Sequence, residues 1–121
     1  MGRMGEILEQ AAATRQRLLK DYPTETKSFF NFLHKTEDGV ALNQRQKELI
    51  NVALAVAAQC DRCIAAHVKS VIKYGASRDE IVEAGFMAVI MHGGPAYMYM
   101  NSLFEALDEF LPEQEGETHG T

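Results

Sequence analysis

Long apolar runs are missing from this sequence. The apolar stretch Leu49 to Cys60 spans twelve residues, against the roughly 20 needed to cross a bilayer, and the longer uncharged stretch Ala84 to Phe104 is broken by His92, Gly93, Gly94 and Pro95. Clustered basic residues are missing too. Twelve Lys and Arg stand against 17 Asp and Glu, for a net charge of −5 and a sequence pI near 5.3. Nucleic acid and anionic membranes both select clustered Lys or Arg, so neither is expected as a main partner. The opening "MGRMGEILEQ" lacks the apolar core of a signal peptide and the Ser or Thr of a myristoylation site. A cytoplasmic location is the resulting expectation. Prolines number three and cysteines only two. In a reducing compartment an isolated C-x-x-C more often serves redox or metal chemistry than a structural staple.

What remains is a chain of helical periodicity, long enough at 121 residues for one domain with a real core. No segment alternates convincingly as a strand. Met4, Ile7, Leu8, Ala11, Ala12, Leu18 and Leu19 repeat at three-four spacing. Pro23 can open a second helix, and "TEDG" (36–39) reads as a turn. A third helix, from about Asn43 to Gln59, is apolar on most sides and is expected to be central and buried. A fourth runs from about Asp61 to Tyr74 and stops at Gly75. Ser77 and Glu80 form a capping box for a fifth, to about Met91. "HGGP" (92–95) is expected as a loop before a last helix from about Ala96 to Leu111. The expected fold is therefore an all-α domain of about six helices over residues 1–112, followed by a polar tail over 113–121. Met87, Met91, Met98, Met100, Tyr97 and Tyr99 serve either core packing or a subunit interface.

Both cysteines fall in "VAAQCDRCIAAHVKSVIKYG", three residues apart, with His67 four beyond the second. At about 100° per residue, Cys60, Cys63 and His67 share a sector of roughly 60° on one helical face. A thiolate, a resolving thiol and a base so placed suit thiol–disulfide chemistry. The helix N-terminus and a nearby imidazolium both favour a thiolate over a thiol of ordinary pKa near 8.5. Glu48 is the only carboxylate between Asp38 and Asp61. On one continuous helix it would lie about 18 Å from Cys60, so either the chain folds back near Gln59 or Glu48 serves a neighbouring subunit. Two other readings stay open for the cysteines: inert buried thiols, or a zinc site of Cys60, Cys63 and His67 with His34, His92 or Glu48 as fourth ligand. For Glu48 the plainer alternative is a surface pair with Lys or Arg.

The stretch "QKELINVALAVAAQCDRCIAAHVKSVIKYGASRDEIVEAGFMAVIMHGGPA" closely resembles the core of the carboxymuconolactone decarboxylase family, in its alkylhydroperoxidase AhpD-like branch. The resemblance rests on a K-E-L-I helix start, a Glu twelve residues before C-x-x-C, a His four after it, a G-A-x-x-x-E-I run and a Gly-Gly-Pro loop. It implies an all-helical subunit in trimers or hexamers. It implies reduction of hydroperoxides by Cys60 and Cys63, with Glu48 and His67 as proton relay, no cofactor or metal, and a dihydrolipoyl or thioredoxin-like reductant. The best-studied peroxidases of the branch carry a second histidine between the cysteines; here "DR" stands there, and Arg62 cannot shuttle a proton near neutral pH. The namesake decarboxylases act on a lactone acid by acid–base chemistry and as a rule need no C-x-x-C. A non-catalytic, redox-sensing oligomer is the third implied possibility.

Overall fold

Caps and stops in the sequence mark where its helices begin and end. The computed structural model describes residues 2–112, so the tail expected over 113–121 lies outside the described residues. Among them are six helices and no strand: α1 (Arg3–Asp21), α2 (Pro23–Glu37), α3 (Gln44–Ala57), α4 (Asp61–Lys73), α5 (Arg78–His92) and α6 (Gly94–Phe110). Asn43 with Gln46, and Ser77 with Glu80, form complete capping boxes at α3 and α5. Pro23 opens α2, where its missing N–H costs nothing. Helix α1 has no side-chain cap of its own. A carboxylate from the far end of the chain does that work: Glu109 on α6 accepts from the N–H groups of Met4 and Gly5 at 3.1 and 2.8 Å.

Helices α3 and α4 both end in Schellman motifs. At α4, Gly75 takes φ +88°, and Gly75 and Ala76 donate back to Ile72 and Val71. At α3, Gln59 and Cys60 donate to Val56 and Ala55 in the same way, with Gln59 at φ +56°. A left-handed residue that is not glycine is uncommon, and the sequence gives no glycine there to announce the turn.

The expected four-residue "HGGP" loop is corrected to one residue. Helix α5 runs on through His92, Gly93 turns the chain at φ +64°, and Gly94 and Pro95 are already the first turn of α6. Proline fits there because the first N–H groups of a helix have no intrahelical partner.

Val52 and Val56 from α3, Ile64, Val68 and Val71 from α4, Ile81 from α5, and Leu103 and Leu107 from α6 are fully buried in one core. Met4 of α1 joins them. Helix α2 stands apart. It packs on α1, and Thr26 is its one buried residue. The burial expected for α3 holds on one face only. Glu48, Val52, Ala55 and Val56 point inward, whereas Ile50 and Leu54 are exposed. Helix α5 is likewise apolar on its outer side, with Ile90 71% and Met91 81% exposed. Of the Met- and Tyr-rich positions, Met100 is buried and Tyr99 half-buried, while Met87, Met91, Tyr97 and Met98 face outward. Among the described residues no helix is long and apolar enough to cross a membrane.

Candidate functional site

The turn between α3 and α4 builds the site. Cys60 closes the Schellman motif of α3 with its backbone N–H and caps α4 with its side chain, whose sulfur accepts from the N–H of Cys63 at 3.1 Å. Cys60 therefore has extended backbone (φ −120°, ψ 102°) and lies just outside the helix. The shared helical sector expected of Cys60, Cys63 and His67 thus holds for Cys63 and His67, while Cys60 reaches Cys63 from the cap position. The two sulfurs form a disulfide, with Cα atoms 5.2 Å apart, within the usual range of such bonds.

The chain does fold back at Gln59, and that reversal lays α4 along α3. Glu48 comes to rest beside His67, with Oε2 2.9 Å from Nδ1. Glu48 is 5% exposed, so its expected alternative as a surface partner of Lys or Arg is set aside. Its other oxygen lies 3.4 Å from the Asn51 amide nitrogen, which donates to it. An ionised carboxylate only accepts hydrogen bonds. A neutral imidazole paired with it therefore carries its proton on Nδ1 and leaves the Nε2 lone pair to accept one.

A cavity of about 160 Å³ opens here, lined by Asn51, Leu54, Ala55, Ala58, Cys63 and His67. It falls below the roughly 300–1,000 Å³ of drug-sized sites and suits a small reactive group. Cys63 and His67 share its wall. Cys60 is not part of the lining, and Arg62 turns away toward α1 and α2. His34 lies on α2 and His92 at the end of α5, and neither lines the cavity.

Behind the cysteines a polar cluster ties three helices together. Asp61, the first residue of α4, accepts from Ser102 at 2.6 Å and from Arg3 at 3.2 Å. Arg3 also grips Glu105 through two bonds of 2.7 Å. Those bonds raise the Arg3 guanidinium above its ordinary value and hold the Glu105 carboxyl below 4.5. Sequence reasoning missed this cluster, because its hydrogen-bonded pairs lie 41 to 102 positions apart and no local pattern joins them. Asn51 was missed as well. Its only signal was a polar side chain three residues after Glu48 on an otherwise apolar helix.

Comparison with known proteins agrees with the fold. The carboxymuconolactone decarboxylase family model matches residues 23–106. A carboxymuconolactone decarboxylase family protein from Legionella pneumophila, solved in its apo form, superposes with a TM-score of 0.85 at 34% identity, covering 92% of this chain and 98% of that one. A family member from Thermotoga maritima, for which a role in antioxidative response has been suggested, superposes with a TM-score of 0.76 at 25% identity, covering 84% and 87%. An uncharacterized protein in the cox locus of Paracoccus denitrificans is 44% identical over 69 residues, or 57% of this chain. A Cupriavidus necator protein is 38% identical over 76 residues, or 60% of this chain. The matches span 62% and 66% of those two relatives, under two thirds of either. The chain belongs to the carboxymuconolactone decarboxylase family.

Proposed function

We propose that this protein is an AhpD-like, thiol-dependent peroxidase that reduces hydroperoxides with the Cys60–Cys63 dithiol. One observation carries the reading: Cys63 and His67 line the same small cavity, with a buried carboxylate on Nδ1 of the imidazole. His67 takes the thiol proton of Cys63 through Nε2. The thiolate attacks one oxygen of the peroxide, the O–O bond breaks, and the alcohol leaves with that proton. Cys63 is then a sulfenic acid. Cys60 attacks its sulfur, the disulfide forms, and water departs. A dihydrolipoyl or thioredoxin-like dithiol reduces the disulfide and is itself oxidised. No cofactor enters these steps. The reducing cytoplasm is the setting in which such a dithiol is recharged.

The N–H of Cys63 favours a thiolate on Cys60, by roughly 0.3–1 kcal/mol for a helix terminus. A positioned base contributes about 10²–10⁴-fold in rate, the larger effect, and it serves Cys63. Cys63 is therefore the attacking thiol. The exposed apolar faces of α3, α5 and α6 support a homotrimer or homohexamer.

The test is a dihydrolipoamide-coupled peroxidase assay with a panel of peroxides, beside Cys60→Ser and Cys63→Ser. Turnover lost in both variants, with a sulfenic-acid trap labelling Cys63 in Cys60→Ser, is the expected outcome. Label found only on Cys60 reverses the two thiol roles. Full lactone decarboxylation in the double Cys→Ser variant moves the reading to the acid–base chemistry that Glu48 and His67 alone could perform. Reversible oxidation with no turnover on any peroxide leaves a redox sensor.

A further inference from the structure

Arg62 stands between the two cysteines, yet its side chain lines a second groove on the other side of α4. This groove runs between α1 and α2, with a volume of about 420 Å³, inside the usual range for small-molecule sites. Its floor is apolar: Leu18, Tyr22, Phe29 and Phe30. Tyr22 and Phe29 are more than half exposed, so the groove is open to solvent. Its wall carries two guanidinium groups, Arg15 and Arg62, against one carboxylate, Glu25. That leaves one net positive charge over an apolar trough. Among the described residues neither arginine has a carboxylate within 4.0 Å; the ion pairs found use Arg3, Arg45, His67 and Arg78. The guanidinium carbon of Arg15 lies over the Phe30 ring, 4.2 Å from its centroid. A cation–π contact occupies no oxygen acceptor, so the guanidinium keeps N–H groups that can donate to a ligand.

We propose that the α1–α2 groove binds an amphipathic carboxylate, a free acid whose apolar chain lies on the aromatic floor and whose head meets Arg62 and Arg15. Charge complementarity chooses this occupant. A purely apolar ligand would leave both guanidiniums unused, and a cationic amphiphile would be repelled by them. Arg62 belongs to the first turn of α4, so the bound carboxylate sits on the same helical turn as the dithiol. The proposal goes beyond the peroxidase reading and does not depend on it.

The experiment titrates the full chain, reduced and oxidised, with decanoate, decanol and decyltrimethylammonium. Amide NMR shifts report where each probe binds. Decanoate is expected to perturb α1 and α2 in both redox states and to bind about tenfold more tightly than decanol. The double variant Arg15→Gln/Arg62→Gln, which alters only exposed side chains, is expected to erase that tenfold difference and leave decanol unchanged. Equal affinities for decanoate and decanol, shifts confined to other helices, or no binding would each overturn the proposal. So would a Phe30→Asp variant that lowers the oligomeric mass, because the groove would then be covered by a second copy. Binding that persists in a chain without peroxidase activity supports the groove while refuting the separate functional reading.

Discussion

Cys60 belongs to two helices at once, ending α3 through its N–H and starting α4 through its sulfur. The dithiol is thereby set by backbone geometry, and the side chains around it only tune it. In the proposed relay Glu48 and His67 are such tuning groups, 2.9 Å apart. Coupled groups in one relay lose function together. Glu48→Gln and His67→Gln are each expected to slow peroxide oxidation of the dithiol by about 10²–10⁴-fold, with the double variant no slower than the worse single. Stopped-flow oxidation rates check this, and multiplied single effects would show two independent roles. The four residues proposed for the site were legible because their spacing encodes shared helix faces. Arg3, Asp61, Ser102 and Glu105 were not, since only tertiary packing brings them together.

Helix ends were legible wherever a residue type has one dominant use: Ser77 with Glu80, Gly75, Pro23. The left-handed turn at Gln59 was invisible because glutamine has no such preference. A non-glycine residue there costs about 1–2 kcal/mol, whereas added glycine freedom in the unfolded chain costs about 0.5–1 kcal/mol. Gln59→Gly is therefore expected to raise stability by about 0.5–1 kcal/mol, read from the urea midpoint at fixed protein concentration. Gly85 works the other way. A Cβ there would lie 2.6 Å from Leu103 and 2.9 Å from Met100, both buried where α5 meets α6. Overpacking of about 1–3 kcal/mol exceeds the gain of about 0.8–1 kcal/mol in helix propensity. Gly85→Ala should lower the same midpoint, and an unchanged midpoint would show that α6 yields. The Arg3–Glu105 pair adds a pH dependence. A carboxyl held below its ordinary 4.5 when folded contributes stability that is fully present above that value and is lost as pH falls through the lowered one. The deficit of Glu105→Gln relative to the parent, measured by denaturation at stepped pH, is expected to shrink over that acid window.

For the whole molecule, periodicity correctly announced an all-helical core and overstated how much of it one chain can bury. Ile50, Leu54, Met87, Ile90 and Met91 are apolar positions left outside, and a lone sequence cannot say whether an apolar face meets its own core or another chain. Light scattering at micromolar concentration is expected to give a trimeric or hexameric mass, and Ile90→Lys with Met91→Lys to reduce it. One of those exposed residues has two addresses. Leu54 lines the cavity of Cys63 and His67, and it also lines the apolar groove between α3 and α5. A second copy seated in that groove would rest on a wall of the reaction chamber. Dilution would then become a chemical variable: subunits drifting apart would uncover the chamber from the side, and the dithiol's reactivity per subunit would change with how crowded the protein is.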